Sequence, residues 1–146
     1  MKYTEILYKL AIAFWVGGGA LFTFVLTPLL FKTESRDTAG RIVGTFFPAY
    51  FRWGLVCGGI ALLCRLLIKG GRLELVGGIL ILMLAVSSFQ AFYVEPKAAE
   101  IKRQIVSFET TPKDHPLRQQ FSKLHGVSAV CNLAVVAGGV VLVILL

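Results

Sequence analysis

A few polar residues stand where the surrounding chain is apolar, and their spacing gathers them at one depth. Arg52 lies one turn past Pro48, flanked by Tyr50, Phe51 and Trp53. Ser87 and Gln90 share a helix face, and Glu95 closes the same stretch. His125, Ser128 and Asn132 follow i, i+3, i+7 spacing, which stacks them on one face of a helix. Thr23, Thr27 and Pro28 fall at a similar level in the first apolar run. Arg52, Gln90, Glu95, His125 and Asn132 together are the candidate ligand-binding set, able to hold a ligand, a metal or a proton. The same residues have a purely structural use, as a hydrogen-bonded clasp between helices. A cation inside a membrane must snorkel outward or meet a partner. The expectation is that Gln90, Glu95, His125 or Asn132 reaches the Arg52 guanidinium. Gln90 and Glu95 should not both do so, since five positions on a regular helix separate them by about 140°.

Other chemistry is sparse. Cys57 and Cys64, seven apart, share a face and suit a soft metal, yet with Cys131 they read more simply as small packing residues. An odd number of thiols inside apolar runs is no disulfide scaffold. There is no H-E-x-x-H, P-loop, G-x-S-x-G or Cys-x-x-Cys motif, so no catalytic set is identifiable. A bis-histidine haem needs two histidines at depth. Only His125 qualifies, because His115 sits in a polar turn between prolines. Metal and cofactor are therefore left open.

The elements that position these residues follow from where charge is missing. Leu10 to Phe31, Leu75 to Val94 and Gly126 to Leu146 each run about 20 residues without Lys, Arg, Asp or Glu, enough for a helix to cross a bilayer. A fourth stretch from Phe46 to Ile68 is as long and carries only Arg52 and Arg65. In lipid such runs must satisfy their own backbone as helices. The reading is an all-α, four-transmembrane-helix bundle in a single domain, 1–146, with spans near 9–31, 46–68, 74–94 and 117–146. The first run is too long for the apolar core of a signal peptide and reads as a retained span. Ala39, Ile42, Val43, Phe46 and Phe47 recur at helical spacing before Pro48, predicting an interfacial amphipathic helix, with Pro48 opening span two. Lys69-Gly70-Gly71-Arg72 is a tight turn that makes spans two and three antiparallel neighbours. Ile101, Ile105 and Phe108 keep helical spacing through Glu109. After the turn Thr111–Pro116, Leu117, Phe121 and Leu124 lead into span four, so residues 97–123 form a projecting helical hairpin. Glycines at 17–19, 54, 58, 77, 78, 138 and 139 let helices approach closely, and those beside Trp15 would also clear space for a flat ligand.

Mean hydropathy of +0.76 and 56% hydrophobic residues fit a membrane protein rather than a soluble one. The net charge of +7 resides in loops and span ends, which points to anionic lipid headgroups and not to nucleic acid. Ten basic residues on the hairpin side against five on the other (Lys2, Lys9, Arg65, Lys69, Arg72) favour a cytoplasmic hairpin, although the short turn is denser in basic residues.

Trp15-x-Gly17-Gly18, Pro28, Phe31, Phe47, Tyr50, Pro96 and Phe121-x-x-Leu124-His125-x-x-Ser128-x-x-x-Asn132 together resemble the transmembrane-protein-205-like family of four-span proteins, a domain of unknown function. The resemblance implies a four-helix membrane domain with links to metal or drug tolerance and no established activity. Span four is also similar to the four-span bacterial protoporphyrinogen oxidase, which opens with a histidine in span one. Here span one has none. The leading expectation is a multi-pass protein of the bacterial cytoplasmic (inner) membrane that acts through a partner, as an accessory subunit or homo-oligomer. A transporter or tolerance factor for a metal or small hydrophobic compound is the alternative. A haem- or quinone-linked oxidoreductase is a third.

Overall fold

Apolar runs of this length close their own hydrogen bonds as helices, and every regular element among the described residues is helical. The computed structural model describes residues 2–68 and 73–145, and no strand occurs among them. The elements are α1 (Lys2–Ala20), a π-helical stretch Leu21–Leu26, α2 (Thr27–Thr33), α3 (Arg36–Leu67), α4 (Leu73–Phe89), a second π-helical stretch Gln90–Val94, α5 (Glu95–Gln104) and α6 (Pro116–Ile144). α1 and α2 form one rod, as do α4 and α5. With α3 and α6 this gives four helices long and apolar enough to cross a membrane. The turn expected at 69–72 lies outside the described residues.

Both π-helical stretches have the same cause. Pro28 and Pro96 lack an N–H, and each ring crowds the carbonyl four residues back. Just ahead of each proline the helix widens: the Thr27 N–H bonds to the Phe22 carbonyl and the Glu95 N–H to that of Gln90, five residues back in each case. The wider turn admits the ring and the rod continues. Pro96 therefore does not mark the edge of a helix.

Pro48 does not open one either. α3 begins twelve residues earlier, where the Ser35 hydroxyl caps it by accepting from the Thr38 N–H at 3.2 Å. Residues 36–47 are the first turns of α3 rather than a separate interfacial helix, and Pro48 is internal to it. At about 1.5 Å per residue the 32-residue α3 is about 48 Å long, well beyond a 30 Å hydrocarbon core.

The half of the bundle away from the 105–115 connection is closely packed. Trp15, 5% exposed, lies in a notch of α3 made by Gly54 and Gly58. A Cβ on Gly58 would meet the indole at 2.5 Å and Leu84 at 2.6 Å. The span-one glycines do not face this ring: a Cβ on Gly18 would meet Trp53 and one on Gly19 the Tyr50 hydroxyl, each at 3.4 Å, and Gly17 has nothing within 4 Å. Ile12, Cys57, Ala61, Cys64, Leu80, Met83 and Leu142 complete this core.

At the other end α5 stops at Gln104, short of the predicted Glu109, and Ile105 is extended. The chain turns there because Asp37, in the first turn of α3, accepts from the Ser107 hydroxyl at 2.5 Å and the Phe108 N–H at 2.6 Å. Phe108 packs edge-on against Phe121, and Arg118 lies over the Phe108 ring while donating to the Thr111 carbonyl at 2.5 Å. His115, exposed, caps α6 by accepting from the Leu117 N–H at 3.3 Å.

Candidate functional site

The face of α6 that carries Ser128 and Asn132 meets all three other rods. Asn132 accepts from the Tyr50 hydroxyl of α3 at 2.5 Å, and its amide N–H donates to the Thr23 hydroxyl in the first π-helical stretch. Ser128 donates to the Gln90 side-chain carbonyl, in the second stretch, at 3.2 Å. Gln90 is 1% exposed. Each widened turn thus delivers a polar side chain to α6, and the result is a clasp across four rods. Trp15, Tyr50, Phe51, Ser87, Gln90 and Asn132 surround a void of about 10 Å³, barely the room for one water molecule.

Beyond Phe51 lies a cavity of about 620 Å³, within the range of small-molecule pockets. Phe51 lines both spaces and separates them. It belongs to an aromatic group in which Phe22 stacks on Tyr50 at 4.6 Å and Phe47 on Phe51 at 5.7 Å. The cavity lies between the first half of α3, the helix α5 and the start of α6. Val43, Phe47, Val94, Ala98, Ala99, Phe121 and Leu124 supply apolar wall; Arg36, Lys102, Lys113, Arg118, Glu95 and His125 supply polar groups. Room comes from a second glycine pair on α3. Gly40 and Gly44 admit the half-buried Lys102, whose ammonium donates to the Gly40 carbonyl.

The predicted site residues divide accordingly. Gln90 and Asn132 are in the clasp. Glu95 and His125 line the cavity, with the His125 ring parallel to Phe121 at 6.2 Å. Arg52 joins neither group: it is exposed and makes no hydrogen bond or ion pair with any described residue, so the expected direct partner is missing. Tyr50, two positions earlier, faces inward in its place. The expected 140° between Gln90 and Glu95 also fails, because the widened turn absorbs one residue and the two follow each other as i and i+4 do on an α-helix. Glu95 thereby reaches the cavity while Gln90 remains in the clasp.

Cys57 and Cys64 are free thiols in the packed core, and Cys131 is half-buried. Among the described residues no group of three His, Cys, Asp or Glu is placed to share a metal ion. Lys102 and the Gly40/Gly44 pair were not singled out in the sequence. The available signal was G-x-x-x-G spacing in the stretch taken for a surface helix.

No solved structure matches this chain. A protein of Aquifex aeolicus (strain VF5), named only "Uncharacterized protein", is 38% identical over 130 residues, covering 87% of this chain and 86% of that one. Residues 10–107, which hold the second and third rods and the first from Leu10 on, match the family described as a domain of unknown function, DUF4149. By the match over two thirds of its length, the chain, with its four helices apolar enough to cross a membrane, belongs to the DUF4149 family, a domain of unknown function.

Proposed function

We propose that this chain is a non-catalytic protein of the bacterial inner membrane that takes a small, largely apolar compound into the cavity between α3, α5 and α6. The carrying observation is the cavity itself, whose aromatic and aliphatic wall is interrupted by a few convergent polar groups. This fits the tolerance-factor role implied by the resemblance to transmembrane-protein-205-like proteins. Of the predicted ligand-binding residues, Glu95 and His125 contact the compound, while Gln90 and Asn132 hold the rods that form the wall. The partner-subunit reading takes second place, because exposed apolar side chains such as Phe14, Val56, Leu82 and Val130 are spread over all four rods, as contact with acyl chains requires.

Ala98, half-buried on the cavity wall, offers the test. Organic extracts of protein purified in mild detergent should contain a stoichiometric apolar compound by mass spectrometry. Ala98→Trp should lose it while still unfolding cooperatively, at or below the temperature of the loaded parent. Equal recovery from the two proteins, or none from either, would overturn the reading.

A further inference from the structure

We infer that the occupant of the cavity is an anionic amphiphile, a hydrocarbon chain that ends in a phosphate or a carboxylate. This rests on the binding reading above and adds the charge and orientation of the ligand. The cavity wall is graded along its helices. On α3 it runs from Arg36 to Phe51, about 22 Å at 1.5 Å per residue. α5 rises toward the Arg36 end and reaches it at Lys102, and α6 starts there with Arg118. Arg36, Lys102, Lys113 and Arg118 therefore gather at one end, and Phe47, Phe51, Val94 and Leu124 toward the other. Glu95 is the single carboxylate on the wall, about 10 Å along α5 from Lys102.

Lys102 carries most of the argument. It is half-buried, seated on Gly40 and Gly44, and one of its three N–H donors goes to the Gly40 carbonyl. The nearby carboxylate of Asp37 accepts from Ser107 and Phe108 and offsets the Lys102 and Arg118 charges only in part, since burial outweighs it at Lys102. Arg118 gives one of its five donors to the Thr111 carbonyl. A wholly apolar occupant would desolvate these cations with only the Asp37 charge to offset them, and a wholly polar anion would leave the Phe47 and Phe51 walls wet. A headgroup among the cations with its chain against the phenylalanines satisfies both ends. The source is either a membrane phospholipid or a free fatty acid, which share this chemistry.

Native mass spectrometry of the full chain separates the outcomes, with phosphatidylglycerol, phosphatidylcholine of the same chains, oleate and oleyl alcohol as probes. The anionic probe should bind about tenfold more tightly than its uncharged or zwitterionic counterpart, the scale of one or two charge-assisted hydrogen bonds. That preference should shrink as salt is raised. Phosphatidylglycerol displacing oleate assigns a phospholipid, and the reverse assigns a free acid. Lys113→Glu, an exposed wall residue, should abolish the preference, whereas Arg52→Glu, equally exposed but off the cavity, should keep it. Equal affinity for all four probes, abolished together by Ala98→Trp, overturns the charge inference and leaves the binding reading standing. Loss of preference in Arg52→Glu as well reduces it to surface charge and overturns it. Failure of every probe to bind overturns the amphiphile inference and leaves the binding reading to the extraction from parent and Ala98→Trp.

Discussion

α3 carries two glycine notches of identical spacing, and they have opposite occupants. Gly54 and Gly58 receive the indole of Trp15, buried among apolar side chains of α1 and α4. Gly40 and Gly44 receive the ammonium end of Lys102 at the rim of a 620 Å³ cavity. One notch is filled by a rigid ring pinned on two sides, the other by the tip of a flexible chain with open space beside it. The motif therefore states only that something approaches α3 closely. Whether that approach closes a core or opens a site is decided by the neighbouring helix.

The sharpest break of this comparison is the same substitution in both notches. Gly58→Ala forces the indole and Leu84 apart, and overpacking of this kind should cost about 2 kcal/mol even after the gain in helix propensity. Gly44→Ala meets only the Lys102 ammonium at 3.1 Å, which can retreat, so helix propensity should leave it neutral or stabilised by up to about 1 kcal/mol. Thermal unfolding in detergent reads both, and equal losses would erase the distinction between the notches. Next in size is the clasp between them. Asn132→Leu deprives the Tyr50 and Thr23 hydroxyls of their partner, and hydrogen bonds between membrane helices average about 0.6 kcal/mol, so a loss near 1 kcal/mol is expected. Tyr50→Phe in that background should add little, because the two share one bond; full additivity would show that they are not coupled. Smallest is Arg52→Leu, exposed and unpaired among the described residues, which should shift the melt by less than about 0.5 kcal/mol. A loss above 1 kcal/mol there would restore Arg52 to the site.

The four rods were legible because hydrocarbon leaves an apolar run of that length no alternative to a helix. The inward face of α6 was legible too, since Ser128 and Asn132 repeat at helical spacing. Arg52 misled because the costliest residue seemed to need a partner most, whereas an exposed cation can reach outward and Tyr50 supplies the inward bond. Pro48 misled because proline is tolerated both at a helix start and within a long packed helix, and only the Ser35 cap decides. The widened turns were hidden: the prolines are visible in the chain, but a shift from four- to five-residue bonding depends on what the neighbouring rods accept.

Those widened turns also govern how the gene can change length. Each holds one residue more than an α-helix would use over the same distance. Deleting a single codon from 91–94 would let the turn close, and Glu95 would then follow Gln90 at i+4 on a regular helix, at nearly the angle the widened turn already gives it. Glu95 and Lys102 would keep their places in the cavity and Gln90 its place in the clasp, whereas a deletion between Glu95 and Lys102, in the regular turns of α5, would swing Lys102 by about 100° out of the cavity. Loops usually absorb insertions and deletions, and here two places inside unbroken rods can each lose a residue as well.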